Sequence, residues 1–468
     1  MEIPQLMAEQ YREAKKMIEE SEDIKVYSHI DCDGICSGAI LSTILDRQNK
    51  AHEIEFVNLD VLDDIDLDHE LTIFSDLGSG QRIDTKAKDT QKIIILDHHP
   101  PLRDLDYGND KNYDYLEINP LHHGIDGSYD VCGGGLCYFL AKEFGYRDLS
   151  WIGVLSAIGD MQNTKSGHFE GLNRIIQQDA IDEGYLKLDE NDINIYGRNT
   201  RPLFVALSYF SDVKLPITNN TTETMAILEE LGIDEKHNRK KLNELTMEEK
   251  TKLYQKLLGM ISKAVPGRYI QYIPQLIIGD AYTFIKEDAD SFLRDGSEFS
   301  TAMNACGRNH EEKVAMEVLK GDRIEALDEL ESISKTHRYN LATSISQIAE
   351  SDETNIIELK NLQYFDGTGI KPEIVGTVTG MILGYCNWKK PIIGYTQTDD
   401  YGLKISLRCS RLLSYDGIHF GNIMREIAAD VGGTGGGHAM ACGAYIPIDK
   451  KDEFLNLFNE KLNGKISS

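Results

Sequence analysis

Residues 24–34 read IKVYSHIDCDG: a short apolar strand, Ile24 to Tyr27, runs straight into a loop carrying His29, Asp31 and Asp33, and Gly34 lets a helix begin at once. Working outward, the theme recurs. Leu71 to Phe74 lead into SDLGSG, Ile93 to Leu96 into DHHPP, and Leu116 to Ile118 into NP. A strand, an acidic or glycine-containing loop and then a helix is the pattern of an α/β protein with a parallel sheet. All such loops leave the carboxyl ends of their strands, where open α/β folds place their sites. The stretch WIGVLSAIGD (151–160) is predicted to be a buried helix whose last turn delivers Asp160, with Gly159 permitting close approach. Histidines and carboxylates far apart in the chain should therefore meet at one sheet edge.

The chain of 468 residues is too long for one ordinary core and suits two or three domains of about 150 residues. From about 185 to 285 the period becomes helical, with TTETMAILEELGI (221–233) and a Thr246-x-x-Glu249 capping box. This reads as an inserted helical module, either a partner-docking element or a plain packing insert. More helix follows, including FSTAMNACGR (299–308), and a second α/β domain is expected to begin near residue 290. It should contain a hairpin over PIIGYTQTDDYGLKISLRCS (391–410), an amphipathic helix through GNIMREIAADV, a loop GGTGGGHAMACGA (432–444) and a last strand AYIPI. The expected division is 1–185, an α/β catalytic domain with a parallel sheet; 186–285, the helical insertion; 286–350, a helical connector; and 351–468, a smaller α/β substrate-binding domain across a cleft.

Acidic residues number 77 against 49 lysines and arginines, a net charge of −28, which is the wrong sign for coating duplex DNA. Any nucleic acid must be held in a local basic groove. Six basic residues (Lys389, Lys390, Lys404, Arg408, Arg411, Arg425) against three acids between 385 and 425 supply such an excess. The acid run Asp60, Asp63, Asp64, Asp66, Asp68 and Glu70 lacks the glycine turn and ligand spacing of a calcium loop and reads as a solvated face. Eight irregularly spaced cysteines with no C-x-x-C pair argue against a zinc ribbon or a disulfide framework. The charged amino-terminal helix is not a signal peptide and no apolar run suits a membrane span, so a cytoplasmic protein is expected, with no membrane partner.

Taken singly, the site motifs are ambiguous: an Asp-rich turn after a strand can be a helix cap, and one histidine of His98-His99 can be a core residue. Their convergence is what points to chemistry. The five carboxylates of Asp31, Asp33, Asp76, Asp97 and Asp160 would repel one another unless cations neutralise them. A carboxylate–imidazole mixture suits Mn²⁺ better than Mg²⁺ and excludes a thiolate-rich zinc site. Two ions about 3.5–4 Å apart could clamp a phosphate during in-line displacement, so phosphoester hydrolysis is the expected reaction.

The motifs SHIDCDG, SDLGSG, LDHHPP and AIGDMQN resemble the four signatures of the DHH phosphoesterases, and GGTGGGHAMACGA, preceded by SLRCS, is similar to their associated carboxyl-terminal domain. The insertion, FSTAMNACGR and the overall length most resemble archaeal RecJ-like single-strand exonucleases, including those that associate with the GINS replication complex. The resemblance implies two Mn²⁺ ions, with Mg²⁺ a possible substitute. His29 and Asp31 would hold one ion, Asp33, His98 and Asp160 the other, and Asp76 would bridge them. Asp97 would orient an imidazole, and His99 would touch the scissile phosphate. Substrate would be held by Gly435, Gly436, Gly437 and His438 together with Arg408 and Ser410.

An exonuclease of single-stranded DNA or RNA, in replication or repair, is the first reading, with Trp388, Tyr395 and Tyr401 offered as stacking surfaces. The alternatives are a dinucleotide or short-oligonucleotide phosphodiesterase of the nanoRNase kind, and a GINS-binding replication scaffold. The hundred-residue insertion favours the exonuclease over the first alternative, and the full set of ligands disfavours a purely structural role. His122 and His123 are read as ordinary loop residues.

Overall fold

The computed structural model describes residues 2–233, 239–349, 355–398 and 402–466; Tyr401, offered above as a stacking surface, lies outside them. The chain forms two compact units, Met1–Asp192 with Gly279–Lys335, and Ile193–Ile278 with Thr336–Ser468. It passes from one to the other in strands β6 (Leu186–Ile193) and β7 (Ile278–Phe284), which pair with each other, and again within the helix Glu325–Ala349.

In the first unit, β1 (Asp23–His29), β2 (Ala51–Val57), β3 (Leu71–Ser75), β4 (Lys92–Leu96) and β5 (Asp114–Ile118) form a parallel sheet in the order β2-β1-β3-β4-β5. The register aligns the strand ends. Ser28 lies beside Ser75, Ser75 beside Leu96 and Leu96 beside Ile118, so the next residues, His29, Asp76, Asp97 and Asn119, leave the sheet in a row. The strand order reverses between β1 and β3, the switch point at which such sheets open a crevice. The inner strands are short apolar runs; every residue of β3 is buried.

The helices of this unit include Gln5–Glu19 (α1), Cys32–Arg47 (α2), Gly133–Glu143 (α3) and Ser150–Gly159 (α4), the last delivering Asp160 as its C-cap. A helix was expected after every loop, but β3 and β4 are followed only by 3-10 turns, Ile83–Lys86 and Tyr107–Asp110. Gly78 and Gly80, and the pair Pro100-Pro101, interrupt helix formation there. Among the described residues no helix is long and apolar enough to cross a membrane.

The helix Gly296–Gly307, expected in a connector leading to a second domain, packs instead in the first unit, in one core with α2 and α4. The insertion packs in the second unit. Its core takes in Trp388 and Leu412, and Trp388 meets Tyr269 edge-on at 5.9 Å. Arg411 donates to Asp212 at 2.6 and 3.0 Å and to the carbonyls of Gln275 and Leu276. The capping box of Thr246 and Glu249 opens Met247–Ala264 as expected.

The second unit's mixed sheet contains β8 (Ile356–Glu358), β9 (Gln363–Asp366), β10 (Ile392–Gln397), β11 (Gly402–Arg408), β12 (Thr434–Gly437) and β13 (Ala441–Pro447), in the order β12-β13-β11-β10-β9-β8. The β10–β11 hairpin pairs Ile392 with Arg408 and Gln397 with Leu403. Gly435 to Gly437, expected in a loop, form strand β12 against β13. A Cβ at Gly435 would come within 2.8 Å of the Ala444 Cβ and 3.1 Å of that of Ala428, so the glycines let the helix Phe420–Asp430 lie close on this strand. Trp388 and Tyr395 are both 6% exposed and offer no stacking surface, which corrects that expectation. Arg411 and Lys390, counted toward a basic groove, are bound to Asp212 and Glu358.

Candidate metal centre

At the carboxyl edge of the parallel sheet three sets of side chains lie with their donor atoms within 4.8 Å of one another: His29, Asp31 and Asp76; Asp33, His98 and Asp160; and Asp76, Asp97, His98 and His99. Every residue expected as a ligand is in one of them. His29 Nδ1 is 3.2 Å from Asp31 and 3.5 Å from Asp76. His98 Nε2 is 3.2 Å from Asp76 and 3.6 Å from Asp33, and its Nδ1 is 3.9 Å from Asp160. Asp76 and His98 thus stand between the groups.

The backbone aims these side chains. Asp31 caps α2 by accepting from the Gly34 N–H at 3.1 Å, while Asp33, in the first turn, points back into the site. Its carboxylate accepts from the N–H groups of Gly133 and Gly134 at 2.8 and 2.7 Å, at the start of α3, and also bonds the Ser156 hydroxyl. Asp76 has φ +59°, a left-handed conformation that Asp tolerates better than most residues. Its N–H continues the β3–β4 ladder to Leu96 O at 2.9 Å, and a Cβ on Gly133 would lie 2.6 Å from that of Asp76.

His98 Nδ1 lies 2.6 Å from the Gly127 carbonyl, which can only accept, so Nδ1 carries a proton and Nε2 is the nitrogen turned to the carboxylates. Gln162 bridges the same carbonyl and Asp160, and is itself held by Asn173. Asp97 bonds His99, not His98: its Oδ1 is 2.8 Å from His99 Nδ1, and its Oδ2 accepts from the Ser79 N–H. His99 is 46% exposed where Asp97 is 1%. Asn119 ties the two loops by donating to Ser79 Oγ and His99 O, and Arg103 grips the loop carbonyls of Gly78 and Gln81.

Burial, together with Asp76 and Asp160, pushes the Asp33 carboxyl well above its ordinary value. For His29 burial opposes protonation, yet Asp31 and Asp76 outweigh it and raise the imidazole; Asp160, Asp76 and Asp33 do the same at His98. Asp31 and Asp97 are held well below the carboxylate range against the pull of burial, by His29 and Gly34 and by His99 and Ser79 respectively. Such a proton-hungry cluster of four carboxylates and two imidazoles fits divalent cations with mixed oxygen and nitrogen ligands.

The groups expected to hold substrate lie in the second unit. Arg408 ends β11 opposite Ala441, and Gly437 ends β12 opposite Cys442, so Arg408, Gly437 and the exposed His438 share one end of that sheet. The Ser410 hydroxyl instead caps a short helix, accepting from the Leu412 N–H. His122 and His123 bond the Arg103 carbonyl and Gln10, outside the three groups. Sequence reading missed Gly133, Gly134, Ser156 and Gln162. The triple glycine before an apolar run was the available signal for a helix N-terminus facing an anion.

Residues 359–464 match the DHHA1 domain and residues 195–273 the DHH-CID domain. The uncharacterized protein MJ0831 of Methanocaldococcus jannaschii is 31% identical over 450 residues, covering 95% of this chain and 94% of its own. In fold the chain is similar to CDC45 from Entamoeba histolytica, with a TM-score of 0.61 at 14% identity over 98% of this chain and 99% of that one. It is also similar to RecJ from Thermus thermophilus in complex with Mn²⁺, with a TM-score of 0.57 at 14% identity, over 97% of this chain but 55% of that one.

Proposed function

The chain belongs to the DHH/DHHA1 phosphoesterase family, and from that premise we propose that it is a Mn²⁺-dependent exonuclease of single-stranded nucleic acid. The observation that carries the reading is the pair of ligand groups, His29–Asp31–Asp76 and Asp33–His98–Asp160, joined through the Asp76–His98 contact. Those residues would hold two cations, whose positive charge would lower the pKa of water and neutralise phosphate oxygens.

The chain's own residues do the rest. Asp97 fixes the His99 ring through Nδ1, so that Nε2–H can donate to a non-bridging phosphate oxygen as charge develops on it. Gly127 and Gln162 hold His98 and Asp160 at their stations. In the second unit, Arg408 and the His438 edge would take neighbouring phosphates of a strand, which favours a polyphosphodiester over a single phosphate. The likeness in fold to RecJ in complex with Mn²⁺ supports the metal reading, and the likeness to an exonuclease RecJ bound to manganese supports the nuclease reading.

Protein incubated with 5′- and 3′-labelled single strands of DNA and RNA, and with dinucleotides, in Mn²⁺ and then in Mg²⁺, tests this. Single strands should shorten stepwise, and Asp97→Ala/His98→Ala should abolish it. Cleavage of dinucleotides alone would give the short-oligonucleotide hydrolase, and an equally active double variant would move the site elsewhere. The same proposal gives the helical segment a protein partner, the GINS complex, docking through exposed side chains such as Met225, Met247 and Ile270. Met247→Glu should weaken that association and leave hydrolysis intact.

A further inference from the structure

The segment FSTAMNACGR contributes no ligand and no substrate contact to the reading above, yet the helix that carries most of it, Gly296–Gly307, lies against the site from behind. Asn304 Oδ1 accepts from the Cys32 N–H at 3.0 Å, across 272 residues of sequence. Cys32 is the first residue of α2, whose opening N–H groups have no partner within the helix. Three residues on, a Cβ at Gly307 would stand 1.8 Å from the Ile30 carbonyl oxygen, so the helix end touches the loop between His29 and Asp31 directly. The helix also backs the other ligand-bearing turn. A Cβ at Gly159, the residue before Asp160, would lie 2.5 Å from Cys32 Sγ and 3.7 Å from the Ser300 Cβ.

Cys32 has a particular place. It separates Asp31, which belongs to the group with His29, from Asp33, which belongs to the group with His98 and Asp160. Holding its N–H fixes the peptide whose direction sets how far apart those two carboxylates stand. We propose that Asn304 is a positioning residue for the metal centre: by holding the Cys32 N–H it sets the spacing between the two ligand groups, and with it the ability of the site to bind two ions together. The proposal rests on the metal reading above and concerns how the ions are spaced, not which reaction they serve.

The test uses the full chain with Asn304→Leu, which keeps the bulk and removes the acceptor, and Asn304→Asp, which keeps the acceptor. Mn²⁺ affinity and stoichiometry are read from the electron paramagnetic resonance of free Mn²⁺ during titration. Amide hydrogen exchange over residues 29–36 reports on the loop itself, and thermal melting in chelator on the metal-free fold. The leucine variant should bind Mn²⁺ on the order of 10–100-fold more weakly, as outer-shell losses do, with the second ion the more affected. Exchange at 29–36 should quicken while metal-free melting stays close to that of the parent. Asn304→Asp should restore slow exchange. If the leucine variant does not fold, Asn304→Ala makes the same comparison. Parent-like Mn²⁺ binding in the acceptor-free variant overturns the proposal, as does fast exchange that persists in Asn304→Asp. A parent that binds no Mn²⁺ fails earlier and differently, overturning the metal reading and this inference with it.

Discussion

The two sheets present their functional residues in opposite ways. At the edge of the parallel sheet Asp33, Asp76 and His98 are buried, and backbone or side-chain bonds aim each of them before any ligand arrives. At the end of the mixed sheet Arg408 is half-buried, His438 is exposed, and glycine backbone forms the strand beside them. On the function proposed above, the difference follows from what each region would hold, ions in the first and a nucleic-acid strand in the second. Ions need donors fixed within a few tenths of an ångström, which only a packed, over-determined site supplies. A strand sliding through needs contacts that are exposed and few.

That contrast can be broken most severely at Asp76. Asp76→Asn should lower turnover on the order of 10³-fold, because it strips charge from the carboxylate nearest both groups. Asn tolerates the left-handed backbone equally, and the repulsion lost toward Asp33 offsets the attraction lost toward His29 and His98, so metal-free melting should stay close to that of the parent. A fall in metal-free stability would mean that Asp76 supports the fold rather than the ions. Asp97→Asn leaves the ligands in place but weakens the hold on His99; about 10–100-fold in kcat with Mn²⁺ affinity unchanged is expected from steady-state kinetics beside metal titration.

In the second unit the expected losses are smaller and of another kind. Arg408→Ala should raise KM for single strands about tenfold, leave dinucleotide hydrolysis nearly untouched, and lower the slope of log affinity against log salt by about 0.7. A kcat effect of equal size on dinucleotides would erase the distinction between the regions. Arg411→Met leaves Asp212 without its charged partner and should cost about 2 kcal/mol in denaturant unfolding, with much of it recovered in Arg411→Met/Asp212→Leu.

The mildest test is pH. In metal-free protein His29 and His98 have raised pKa values, so their contribution is complete below the unfolded value, about 6.5, and is lost as pH rises through the folded values. Asp33, raised as well, also binds its proton more readily folded than unfolded, and its share falls as pH climbs past about 4. Asp31 and Asp97, depressed, act the other way and lose their contribution only as pH falls below about 4. Melting in chelator should therefore decline as pH rises past about 6.5, the unfolded histidine value, and Mn²⁺ should flatten the decline. A decline of the same slope in Mn²⁺ would show that the ions bind elsewhere.

The gathering of His29, Asp31, Asp33, Asp76, His98 and Asp160 at one edge was legible because each follows an apolar strand or ends a buried helix, and register brings the strand ends into a row. Strand β2 escaped notice because AHEIEFV alternates, with Glu53 and Glu55 exposed, as befits an edge; its neighbours read as continuous apolar runs. Gly435 to Gly437 read as a loop because a glycine run carries no strand propensity, and only the helix lying on it explains the pairing. The homes of Trp388 and of the helix Gly296–Gly307 were hidden for a further reason. Local periodicity says that a face is apolar, not which distant segment covers it.

That interleaving sets a timetable for synthesis. The SHIDCDG loop emerges early from the ribosome, but the amide it leaves open at Cys32 has to wait for Asn304, which appears only after the whole helical insertion has been made. The insertion waits in turn for Trp388, Arg411 and Leu412. A chain interrupted before Asn304 carries all six residues of the two proposed ligand groups, His29 to Asp160, without the acceptor that the Cys32 amide later gains.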